Sequence, residues 1–260
     1  MKASFLAAAA LILGIALVLP PVAQAAELKV LAGGSIAGPL NDLKFQFEQS
    51  TSHKLTIHYD STPNLIKLVT SGGLVEQLSG GPSFDLGVVP IDVFKDATAK
   101  AKFAEPMINI ARVGYGVAVR AGAPKPDIST PEALKQTLLK TQSIATLPAS
   151  AAGAYVLSVF ERLGIGEEMK AKIKVQSTPA AIPQAVAKGE AELGVFLTNV
   201  LIAPGVELAG AFPAQLQQEL IFTAAVALAS KEADAAKAFI ASLTTPAATA
   251  VIKAKGMNPG

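Results

Sequence analysis

Short runs rich in Val, Ile and Leu alternate along this chain with stretches of helical period, the signature of an α/β fold. Leu28 to Leu31 predicts a first strand. A helix over about Ile36 to Gln49 follows it across Gly33-Gly34-Ser35. Leu55 to Tyr59 predicts a second strand, ending in Asp60-Ser61-Thr62-Pro63-Asn64. Pro63 suits a first helical position with Thr62 as N-cap, and Leu65 to Val69 continues that helix. Asp85 to Val89 reads as a third strand closed by Pro90, and Gly114 to Val119 as another. A capped helix opens at Thr130-Pro131-Glu132. Ser143 to Thr146 leads through Ser150-Ala151-Ala152-Gly153 into a helix ending near Leu163-Gly164. Val175 to Ser177 and Leu193 to Phe196 repeat the strand pattern. Leu220 to Ala229 predicts a long apolar strand, followed by helices over 231–244 and about Ala247 to Lys255.

This alternation predicts two α/β lobes joined by a hinge, with chain crossings near Ile110 to Gly116 and near Leu220 to Leu228. The first lobe takes 26–112 and 228–260, and the second takes 113–227. Ahead of them, Lys2, the apolar run Ala3 to Val18, Pro20-Pro21 and Ala23-Gln24-Ala25 have the form of a secretory signal peptide over 1–25. Its apolar core is short for a membrane span, so cleavage near Ala25 and release without stable membrane insertion are expected. The expected compartment is the periplasm.

Composition narrows the function. The chain has 22 basic and 20 acidic residues, one of the basic ones in the leader, so nothing gives it the electrostatic footprint of a nucleic-acid binder. Arginine occurs only as Arg112, Arg120 and Arg162. With no cysteine there is no disulfide framework and no thiolate chemistry. With no tryptophan there is no sugar site of stacked indoles.

Several strand ends run into small or hydroxyl residues that open helices: Gly33-Gly34-Ser35, Ser61-Thr62, Ser150 to Gly153, and Thr178-Pro179. In open α/β sheets, ligands sit beyond the carboxyl ends of strands, and helix N-termini favour anions. Facing N-termini from two lobes would surround a small anion with N–H and O–H donors. Any one of these serines or threonines could be a simple N-cap, so the signal lies in their coincidence.

In element order the whole chain after the leader resembles the type II periplasmic solute-binding proteins, most closely the molybdate-binding proteins of ABC transporters. The likeness rests on Ala32-Gly33-Gly34-Ser35, on Tyr59 to Leu65, on Ala151-Ala152-Gly153-Ala154-Tyr155 and on Leu193-Gly194-Val195. It implies a two-lobe fold with an interlobe ligand cleft, a small anionic ligand and a membrane ABC permease as partner. It also implies that Ser35 and Thr62 supply hydroxyl donors, and that Ala152 and Pro179 occupy backbone-donor positions. Proline has no N–H, and Leu197 stands where the family has a tyrosine. Those departures shift the expected ligand from a molybdate-like oxyanion towards a di- or tricarboxylate. Arg112 would then fork onto a carboxylate, with Gly34, Ser61, Thr198 and Asn199 around it.

Two histidines without cysteine make no His/Cys metal site, and no nucleotide or nucleophile-elbow fingerprint is present, so neither metal nor cofactor is expected. The chain also resembles the periplasmic aconitate isomerases, which implies an alternative: proton transfer on a held tricarboxylate. The available bases are His58 and Asp60, which alternation places on one face of the second strand.

Overall fold

A computed structural model describes residues 25–71 and 84–260; the expected leader lies outside them apart from Ala25. The described chain forms two sheets. The first contains β1 (Glu27–Gly33), β2 (Lys54–Asp60), β3 (Leu86–Pro90), β4 (Ile108–Val113), β10 (Leu220–Val226) and β11 (Asn258–Pro259), in the order β11-β4-β10-β3-β1-β2. The second contains β5 (Tyr115–Arg120), β6 (Ile144–Thr146), β7 (Ile173–Val175), β8 (Leu193–Leu197) and β9 (Val206–Ala211), in the order β7-β6-β8-β5-β9. Helices pack on both sheets. One apolar cluster runs through both lobes, and a second, around Leu65, Phe94 and Phe103, fills the other face of the first sheet.

Parallel pairing fixes what meets at the sheet ends. β1 pairs with β2 so that Gly33 lies opposite Asp60, and β1 pairs with β3 so that Ala32 lies opposite Val88. Gly34-Ser35, Ser61-Thr62 and Pro90 therefore leave the first sheet side by side. In the second sheet Thr146 of β6 lies opposite Val175 of β7, which aligns the loop to Ser150 with the loop to Thr178.

The crossing to the second sheet is a single residue, Gly114, between β4 and β5; the return lies between Ala211 and Leu220. The two crossings are tied together. The Gln217 carboxamide accepts the Tyr115 N–H through Oε1 (2.8 Å) and donates through Nε2 to the Tyr115 carbonyl (3.0 Å).

Several elements differ from the sequence pattern. Leu220–Val226, assigned with the second lobe by sequence, pairs with β3 and β4 in the first sheet, so the return crossing comes earlier in the chain. Strands β4 and β9 carry no prediction of their own, and β7 covers Ile173–Val175 instead of beginning at Val175. Thr62 is the first residue of its helix, and Ser61 holds the N-cap position that the pattern gives to Thr62.

Candidate functional site

The strand ends of both sheets converge on a cleft of about 210 Å³. The first lobe contributes Gly33 to Ser35, Tyr59 to Thr62, Pro90, Leu220 and Phe222. The second contributes Leu147, Ser150 to Ala152 and Ser177 to Ala180. The cleft lining combines apolar Pro90, Leu147, Leu220 and Phe222 with hydroxyl residues and backbone amides.

Each wall follows from its local sequence. β1 ends in Gly33, a 3-10 turn over Gly34–Ile36 follows, and the Ala37–Ser50 helix continues from it. Gly34 packs closely on the opposite lobe: a Cβ there would lie 3.2 Å from Pro179 Cγ, so the proline ring would have to give by a few tenths of an ångström. Ser61 occupies the N-cap of the Thr62–Thr70 helix without its hydroxyl capping that helix. In the second lobe Ser150 caps the Ala151–Arg162 helix, its Oγ accepting the Gly153 N–H at 2.9 Å. A Cβ at Gly153 would collide with the Leu147 carbonyl, so that tight approach demands glycine.

The first-turn amides of the Ala151–Arg162 helix are differently employed. Gly153 donates to Ser150, and Ala151 donates across the cleft to Thr62 Oγ1 at 3.3 Å. The Ala152 amide has no partner among the described residues, at the positive end of a twelve-residue helix. Thr62 is buried, and by accepting from Ala151 it keeps its own proton to donate.

Asp60 is the acidic residue of the wall, and no lysine or arginine stands among the described residues that line the cleft. Its Oδ1 accepts the Ser61 N–H (2.7 Å) and Asn64 Nδ2 (2.8 Å). Its Oδ2 lies 3.5 Å from His58 Nε2, and its side chain is 27% exposed. Tyr59 also lines the cleft and donates to Asn41 Oδ1 at 2.7 Å; burial pushes its phenol up to about 12.

Of the residues singled out by sequence, Gly34, Ser35, Asp60, Ser61, Thr62 and Ala152 come together in this cleft. Four others do not line it. His58 touches Asp60, but its side chain is 53% exposed on edge strand β2. Arg112 is half exposed and pairs with Glu219 at 3.5 Å, so its guanidinium is engaged outside the cleft. Thr198 sits at the crossing, its N–H and hydroxyl both donating to the Gly114 carbonyl. Asn199 reaches across the lobes from the far side of the Gly34–Pro179 contact, its Nδ2 donating to the Ser35 carbonyl at 2.8 Å. The sequence reading lacks Tyr59, Pro90, Ser177 and Phe222 as wall residues. Ser177 and Pro90 each end a strand-like run, a signal that could have found them.

Comparisons with known proteins agree with the two-lobe fold. Residues 28–258 match the family model described as bacterial extracellular solute-binding protein. Aconitate isomerase of a Pseudomonas species is 32% identical over 241 residues, covering 89% of this chain and 87% of that protein. The molybdate-binding protein ModA of Azotobacter vinelandii is 29% identical over 242 residues, covering 90% of each. The solved periplasmic molybdate-binding protein of Azotobacter vinelandii superposes with a TM-score of 0.70 at 21% identity, covering 88% of this chain and 98% of that one.

Proposed function

The chain belongs to the bacterial extracellular solute-binding proteins, and on that premise we propose that it captures a small di- or tricarboxylate between its two lobes and hands it to a membrane ABC permease from the periplasm. The observation that carries this reading is the composition of the cleft. Donors from Ser35, Ser61, Thr62 and the Ala152 amide share the lining with apolar Pro90, Leu147, Leu220 and Phe222. A carbon skeleton matches such a mixed lining, whereas a tetrahedral oxyanion has only oxygens to offer its apolar part. Pro179 supports the same reading, because a residue without an N–H stands where the oxyanion-binding resemblance calls for a backbone donor. Hinge closure would bring the two walls onto the ligand.

Calorimetric titration tests this. The expected result is binding of citrate, tricarballylate, malate or succinate with molybdate and sulfate much weaker, and a loss of affinity in Ser35→Ala. Tight molybdate binding with no carboxylate bound would reject it.

A second reading, isomerisation of aconitate, is favoured by one observation. Asp60 puts a carboxylate in the cleft wall of a chain 32% identical to an aconitate isomerase. On this reading Asp60 takes a proton from the methylene carbon and returns it at the other end of the allylic system. His58 lies behind Asp60 without reaching the cleft. Proton NMR of cis-aconitate with catalytic amounts of protein in deuterated buffer decides. Accumulation of the trans isomer over many turnovers, abolished in Asp60→Asn, supports turnover; an unchanged spectrum removes it.

A further inference from the structure

Asp60 raises a question that capture of an anion leaves open, namely why a carboxylate stands in the wall of an anion cleft that has no cationic side chain among its described residues. Its orientation is fixed from one side only. Oδ1 is satisfied by the Ser61 N–H and Asn64 Nδ2, while Oδ2 accepts no hydrogen bond among the described residues and lies 3.5 Å from His58 Nε2. The rest of the wall has the opposite polarity. Thr62 Oγ1 already accepts from Ala151, so it faces the cleft as a donor, and the Ala152 amide can only donate.

We infer that the cleft selects a carboxylate that also carries a hydrogen-bond donor, a hydroxyl or an ammonium group, which is received by Asp60. The inference rests on the reading that the cleft binds a small carboxylate, and it names which carboxylates. A fully deprotonated acceptor-only ligand would set its own oxygens against the Asp60 carboxylate in the cleft wall, leaving like charges adjacent in a partly desolvated space. A hydroxy acid or amino acid directs its carboxylate to the Ser35, Thr62 and Ala152 donors and its O–H or N–H to Asp60. Each partner then meets its complement, and acceptor-only analogues bind more weakly because of the unpaired group they leave.

The test compares ligands that differ by one group, at one fixed pH and salt concentration, by calorimetry on the purified protein. Malate against succinate, and citrate against tricarballylate, add a hydroxyl to the same skeleton; aspartate against succinate adds an ammonium. The expected result is that at least one donor-bearing member binds about tenfold tighter than its partner or better, the scale of a hydrogen bond to a charged group. The hydroxyl and ammonium arms identify which donor is used. Asp60→Asn keeps an acceptor for Ser61 and Asn64 and removes the charge, so the preference should collapse and the acceptor-only ligands should gain. Equal affinity within every pair in the wild-type protein, or a preference unchanged in Asp60→Asn, overturns the inference while leaving carboxylate capture intact. If no carboxylate binds, both fall together.

Discussion

Thr62 Oγ1 accepts the backbone N–H of Ala151 at 3.3 Å, a hydrogen bond that joins the two lobes directly across the cleft. With a lone pair given to Ala151, the hydroxyl keeps its proton to donate to a ligand in the cleft. Thr62→Val keeps the shape and removes both functions. Its affinity for the bound carboxylate should fall by about tenfold or more, while Thr62→Ser should stay near wild type. Calorimetry on the two variants separates the hydroxyl from the methyl group; an equal loss in both would assign the effect to packing.

Gln217 binds both backbone groups of Tyr115, the first residue beyond the Gly114 crossing. Gln217→Leu fills similar space and leaves the Tyr115 N–H without its acceptor, whereas the Tyr115 carbonyl keeps the Phe212 N–H at 2.9 Å. Each unsatisfied buried group costs about 1–3 kcal/mol. The variant should therefore melt roughly 2–12 °C lower for a chain of this size, as read by scanning calorimetry. An unchanged melting temperature would show that the clamp adds nothing to the hinge.

Tyr59 gives the molecule a defined alkaline weakness. Burial holds its phenol near 12 in the folded protein, against an ordinary value of 10.0. Between those values the unfolded chain loses the phenolic proton and the folded chain keeps it, so stability is complete below about 10 and falls as pH rises towards about 12. Tyr115 is pushed up in the same direction, first by burial and then by Asp92 and Tyr155. Urea midpoints measured across that interval should fall less steeply in Tyr59→Phe than in wild type. Identical slopes would place the Tyr59 ring in water.

The features legible in sequence are those fixed by local chemistry. The β1–Gly33-Gly34-Ser35–helix unit and the β2–Asp60-Ser61-Thr62 unit are written in strand propensity followed by residues that suit tight turns and helix starts, and both reach the cleft. Alternation on β2 correctly puts His58 beside Asp60, but it cannot tell that β2 is an edge strand, where that face stays open to solvent. Leu220–Val226 is apolar along almost its whole length, and a strand covered on both faces has no period to reveal which sheet it joins. Arg112, Thr198 and Asn199 are close to the crossing, but their side-chain partners are Glu219 and the Gly114 and Ser35 carbonyls. Those are contacts of tertiary packing that no local pattern encodes.

The most direct test of capture between the lobes is a titration of 15N-labelled protein with citrate, following the backbone amides of Ser35 and Ala152, one from each wall. Capture in the cleft predicts that both resonances move together along one binding curve and that an equal concentration of molybdate moves neither. Movement of only one wall, of neither with citrate, or of both with molybdate alone would contradict it.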